Sequence, residues 1–214
     1  MVARELLAAP AFGGVLVAPA RRALGLADAR LVAPVLDFSA PGADAELAAD
    51  VRAAHAVPLD VFVSCLGTTL RAAGSREAFL AVDRELVLRL ARLAHGMGAR
   101  RAVLVSSVGA SRQSGNFYLR VKGEVEDAME QLGFARLDIL QPGLLIGPRS
   151  ERRPAEALAQ RFAPLANALL PGKLSRYRSL AADTVARAIV ALLGESVPGV
   201  FSHTHDAIVE HAAS

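Results

Sequence analysis

Short apolar runs rich in β-branched residues alternate along this chain with helical patterns of nine residues or more, and that alternation most constrains its fold. Runs at 15–18, 31–35, 59–64, 101–106 and 137–141 read as strands, with 200–202 as a short last one. Segments 1–9, 44–54, 75–95, 117–132, 154–170 and 181–193 read as helices. Ser75 caps the 75–95 helix, Phe79, Val82, Leu86, Leu90 and Leu93 form its apolar stripe, and Gly96 and Gly98 stop it. The run at 59–64 is almost continuously apolar, as in a strand covered on both faces, whereas Pro34 marks 31–35 as an edge. Such alternation implies right-handed βαβ units and an α/β, doubly wound parallel sheet. Ligands on these sheets bind beyond the carboxyl ends of the strands. The loops after Ala18, Ser64, Val105 and Gln141 gather there.

A length of 214 residues suits one domain with one sizeable core. A formal charge of +3, with 24 basic and 21 acidic residues interspersed, gives no footprint for nucleic acid. No apolar run approaches the ~20 residues of a membrane span, and the N-terminus carries no signal-peptide pattern. The single cysteine, Cys65, excludes an internal disulfide framework and leads to the expectation of a reducing, cytoplasmic setting. Its thiol is either a reactive group at a strand end or a small buried residue.

The chemistry concentrates in residues 103–124, VLVSSVGASRQSGNFYLRVKGE. A strand ends at Ser106 and Ser107, a polar loop follows, and a helix begins near Phe117. Tyr118 and Lys122 are four residues apart and therefore share one helical face. A free phenol, with a pKa of about 10, is a poor base at neutral pH. A close ammonium favours its ionised form, and a serine hydroxyl at the strand end can orient a carbonyl or alcohol. The alternative is an ordinary surface tyrosine and lysine.

These pieces resemble an atypical short-chain dehydrogenase/reductase of the Tat-interacting oxidoreductase-like branch. The resemblance is carried by Cys-Leu-Gly-Thr-Thr at 65–69, Phe79 to Asp83, Ser106-Ser107-Val-Gly-Ala, Phe117-Tyr118 through Val121-Lys122-Gly123-Glu124, Gln141-Pro142-Gly143 and Gly147-Pro148-Arg149. It implies a Rossmann-type, NAD(P)-binding fold and an oxidoreductase acting on a small molecule, a carbonyl/alcohol pair. By position Tyr118 would be the acid/base. Lys122 would bind the nicotinamide ribose and tune Tyr118, and Ser107 would orient the substrate, with Ser106 in reserve. Gly67 and Thr68 would approach the cofactor, and Pro142-Gly143 would flank the nicotinamide. Many relatives carry an asparagine where this chain has Asp83. The strand at 15–18 is followed by Arg21-Arg22 with no adjacent acid, which favours NADP over NAD through Arg21 unless both are simply solvated.

The family's opening strand and G-x-x-G-x-x-G turn have no counterpart in residues 1–9, which read as the helix that follows that turn. The sheet is therefore expected without its first strand, so that 15–18 and 59–64 lose their usual neighbour. Two expectations follow: a product that starts roughly ten to fifteen residues upstream, or a short form with weak cofactor affinity. His203 and His205 are a metal pair or a tail with two exposed imidazoles. Arg149, Arg152 and Arg153 line the substrate mouth, within a small substrate-side region at 144–180, or form a solvated loop. The 75–95 stripe is core or a homodimer face. The functional alternatives are an NADP-dependent reductase and a non-catalytic nucleotide-sensing or protein-interaction module.

Overall fold

The computed structural model describes residues 1–54, 57–146 and 172–214. Four parallel strands form its centre: β3 (Val61–Ser64), β4 (Arg101–Val105), β5 (Arg136–Leu140) and β8 (Gly199–His203), in the spatial order β3-β4-β5-β8. Side chains alternate across this sheet. Ala102 and Leu104 of β4 join one core with Val87, Leu88 and Ala91 of α5 (Val87–Gly96) and Val125 and Met129 of α6 (Phe117–Gln131). Val103, between them, joins the opposite core with Val185 and Ile189 of α7 (Ala182–Leu192) and Ile208 of α8 (His205–Ala213). Helices thus cover both faces, and the expected parallel α/β architecture is present.

The sheet is not continuous. β1 (Leu16–Val17) and β2 (Leu31–Val32) form a separate parallel pair, extended by an isolated bridge from Ala20 to Val35. Its third core includes Leu47 and Val51 of α2 (Ala43–Ala53), together with Leu36, Phe38, Leu90 and Met97. A cavity of about 720 Å³ separates this pair from β3. Val2 and Leu6 of α1 (Val2–Ala8), Val17 of β1, and Val61, Val63 and Cys65 of the β3 segment contribute to its lining. Cys65 has accessible surface on this wall because it lines the cavity, while burial among its neighbours pushes its thiol pKa up to about 11.

Other departures have local causes. The 75–95 helix is built in three pieces: α4 (Arg76–Leu80), a π-helical turn at Ala81–Leu86, and α5. A short pair, β6 (Leu145–Ile146) with β7 (Leu180–Ala181), was not foreseen, because two-residue strands carry no periodicity. A short helix, α3 (Leu70–Ala73), capped by Thr69, precedes α4. The expected C-terminal tail is the helix α8, folded onto α7 through the fully buried Ile208. The helix expected at 154–170 lies outside the described residues. No helix among the described residues is long and apolar enough to cross a membrane.

Candidate active site

The loop leaving β4 is fixed on both sides. Ser106 N donates to Leu140 O at 2.8 Å and Val108 N to Pro142 O at 3.0 Å, so the backbone of Ser107 is held beside the β5 terminus. The chain then turns, with Ala110 N donating to Ser107 O at 3.1 Å, and returns to α6 through Ser111 N to Leu119 O at 3.1 Å. Gly123 permits that return: a Cβ there would meet the backbone of Ser111 and Arg112 at 2.4–2.5 Å. Asn116 caps α6 by accepting from Leu119 N at 3.3 Å. Local hydrogen bonds and one bare helical position therefore seat the serine loop on the helix that carries Tyr118.

Tyr118 is half-buried, with its ring 5.9 Å from that of Phe79. The Lys122 ammonium lies 6.0 Å from the Tyr118 ring centroid, as the four-residue spacing requires. Lys122 is buried, at 6% exposure, and its Nζ is 2.9 Å from Oδ1 of the fully buried Asp83. That contact is an ion pair without the alignment of a hydrogen bond. The other oxygen, Oδ2, accepts from Thr68 N at 2.7 Å. Asp83 comes from the π-helical turn, a local irregularity often found at functional positions. Its carboxylate joins the loop after β3 to α6.

Gly67 completes this corner. A Cβ at 67 would lie 3.4 Å from Asp83 Oδ1 and 3.5 Å from Lys122 Nζ, so the bare residue keeps the space beside the ammonium open. Pro142 is joined to Val108 as described, and Gly143 lies where a Cβ would meet Arg178 O at 2.5 Å and Tyr177 O at 2.8 Å. The structure thus gathers Gly67, Thr68 and Lys122 around Asp83, sets Tyr118 beside Lys122, and places Ser107, Pro142 and Gly143 at the ends of β4 and β5. Arg21 is not part of either group. It is exposed beyond the Ala20–Val35 bridge and makes no hydrogen bond or ion pair with the described residues. Arg149, Arg152, Arg153 and Gly147-Pro148 lie outside the described residues.

Two polar groups were not anticipated. Glu126, one turn beyond Lys122, is 9% exposed, and Gln141 Nε2 donates to its two oxygens at 3.0 Å each. Burial raises the Glu126 carboxyl above its ordinary range, opposed by Ser106 and Gln141. The Ser106 hydroxyl is itself buried without an aligned hydrogen bond among the described residues. On the far side of the sheet, Asp138 accepts from Arg136 at 2.6 and 2.8 Å and contacts His203 Nε2 at 2.8 Å. His203 is therefore a buried partner of Asp138, and His205 pairs with Asp206. Neither is an exposed tail histidine: β8 and α8 carry them into the fold.

The sequence matches no family model. It is 48% identical over 103 residues to Protein HTATIP2 of Rattus norvegicus, covering 48% of this chain and 42% of that protein. It is 40% identical over 145 residues to Protein fmp52, mitochondrial, of Aspergillus niger, covering 65% of this chain and 62% of the other. The chain thus spans about half the length of the curated relatives it matches. Among solved structures it resembles the Bordetella bronchiseptica enzyme WbmG in complex with NAD, with a TM-score of 0.61, 12% identity, and 100% and 76% of the two chains covered. It also resembles a short-chain dehydrogenase/reductase of unknown function from Caenorhabditis elegans with cofactor, with a TM-score of 0.60, 13% identity, and 98% and 90% covered. The fmp52 relatives are mitochondrial by name, which overturns the cytoplasmic expectation. That expectation rested on a lone thiol, which marks a reducing environment without distinguishing one such compartment from another. Over the matched stretch the chain is a homologue of HTATIP2 and fmp52, on the Rossmann-type α/β fold of the short-chain dehydrogenases/reductases.

Proposed function

We propose that the protein is a nicotinamide-dependent oxidoreductase that interconverts a carbonyl and an alcohol on a small molecule. The observation that carries this reading is the buried Lys122 ammonium, 6.0 Å from the Tyr118 ring, beside the bare backbone of Gly67. Tyr118 exchanges the proton with the substrate oxygen. Lys122 stabilises the negative charge left on the phenol oxygen when that proton leaves. Ser107, held between two backbone hydrogen bonds, orients the substrate oxygen.

Gly67 carries no side chain beside the Lys122 ammonium, which supports an approach of the cofactor there. Gly67, Thr68 and Lys122 would hold the cofactor there, Pro142 and Gly143 would flank its nicotinamide, and Arg21 would favour NADP by meeting a 2′-phosphate. A bound nicotinamide would supply or accept hydride. The residues of this chain position the substrate and handle its proton.

Tyr118→Phe removes the hydroxyl and little else. We expect it to lower NADPH-linked turnover on a carbonyl panel by about 10²-fold or more, while fluorescence titration shows NADPH affinity within about threefold of wild type. Undiminished turnover in Tyr118→Phe would refute the assignment. A second reading, a non-catalytic nucleotide-responsive module, is favoured by the engagement of Lys122 with Asp83. Binding of NADPH with no turnover in either protein would select it.

A further inference from the structure

We infer that Glu126 is a positioning residue: it clamps the strand ends bearing Ser107 and Pro142 to the helix bearing Tyr118. The inference rests on the reading of Ser107, Tyr118 and Lys122 as the reacting set, and names a group outside it.

Tyr118, Lys122 and Glu126 follow one another at four-residue intervals along α6, so they lie along one side of the helix. Around them that helix buries Val121, Val125 and Met129. A carboxylate among such neighbours is costly unless it is hydrogen-bonded. Glu126 receives both of its aligned hydrogen bonds among the described residues from one amide, Gln141 Nε2. It is therefore tied to the residue that immediately follows β5 and precedes Pro142.

Two backbone bonds carry the tie onward. Pro142 O accepts from Val108 N and Leu140 O from Ser106 N, so whatever fixes Gln141 and its neighbours fixes both residues flanking Ser107. The Ser106 hydroxyl adds to the polar enclosure around the same carboxylate. Gln141 N also donates to His203 O at 2.8 Å, which anchors the strand end from the opposite edge. α6 thus sets two distances with two buried charges. Lys122 fixes the helix to Asp83 and the Thr68 loop, while Glu126 fixes it to the serine loop.

Glutamate and glutamine are nearly isosteric, which gives a swap test. Gln141→Glu alone places two carboxylates in contact. It should speed hydrogen exchange of the Val108 amide by about tenfold or more relative to wild type. Adding Glu126→Gln restores one amide and one carboxylate with the polarity reversed, and should return the rate to within about threefold. Glu126→Gln alone, which keeps one amide–amide bond, should fall between. The same order should appear in the kcat of the Tyr118-dependent reaction. A double variant no closer to wild type than Gln141→Glu overturns the clamp, as does a Val108 rate unmoved by Gln141→Glu. If Gln141→Glu does not fold, a double variant that also fails to fold overturns it and one that folds supports it. If wild type shows no turnover, the proposed function fails while the exchange rates still decide the clamp.

Discussion

Removing one partner of the Asp83–Lys122 pair should be far more damaging than removing both. Both side chains are sealed from solvent, at 0% and 7% exposure, and their charged atoms are 2.9 Å apart. Breaking a buried pair by deleting one member costs about 3–5 kcal/mol, because the other charge remains desolvated and alone. Lys122→Met should fall in that range. Asp83→Leu should exceed it, since the half-buried Thr68 N also loses its acceptor, a further cost of about 1–3 kcal/mol. In the double variant the stranded charge is gone, and replacing a buried pair by apolar groups is often neutral or better. The remaining cost is then about the Thr68 amide alone, roughly 1–3 kcal/mol. The coupling energy should therefore be about 6 kcal/mol or more, comparable with a total stability of about 5–15 kcal/mol. Urea unfolding of the four proteins at pH 7 measures it. Additive losses, with coupling below about 0.5 kcal/mol, would show that the two side chains do not hold each other.

Gly123→Ala should destabilise although alanine is the better helix former. The gain in helix propensity is about 1 kcal/mol, whereas the new Cβ would sit 2.4–2.5 Å from the Ser111–Arg112 backbone, which must move. Overpacking of that kind costs about 1–3 kcal/mol, and at the upper end the net loss lowers Tm by roughly 4–8 °C; a Tm above wild type would contradict the close approach. Acid sensitivity should trace to Asp138. Burial alone would raise its pKa, but hydrogen bonds from His203 and Arg136 outweigh burial and hold it below the usual carboxylate range. A depressed folded-state pKa gives stability that is present above the ordinary value of about 4 and lost as pH falls through the depressed one. Asp138→Asn should thus be less stable than wild type at pH 7 and lose less on acidification below pH ~4, measured as urea midpoints. Parallel pH profiles would remove Asp138 from that role.

What could be read in the sequence was what is local. The β4–loop–α6 unit announces itself by a β-branched run, two serines and a four-residue Tyr–Lys spacing, and each is set within a few residues by strand and helix periodicity. Asp83 was visible only as a departure from an expected asparagine, because its partnership depends on a π-helical turn that no apolar stripe reveals. Glu126 left a usable trace: a third polar residue in the Tyr118–Lys122 stripe, on a helix that buries Val121, Val125 and Met129 around it. The partner of His203 depended on lateral strand order. β5 and β8 are far apart in sequence, and only their pairing brings Asp138 within 2.8 Å of it.

The same limit explains β3. Its nearly unbroken apolar run reports that both faces are covered, and the cores on either side of the sheet confirm that reading. A strand has two edges as well as two faces, however, and side-chain pattern encodes only the faces, since the edges are made of backbone. One edge of β3 meets β4 in full register from Val61–Arg101 to Ser64–Leu104, while the other borders the 720 Å³ cavity. Val61, Phe62 and Val63 are consequently only partly buried despite their composition. Their exposure comes from the open lateral side of the strand, so no substitution confined to their side chains would supply the backbone partner that this edge requires.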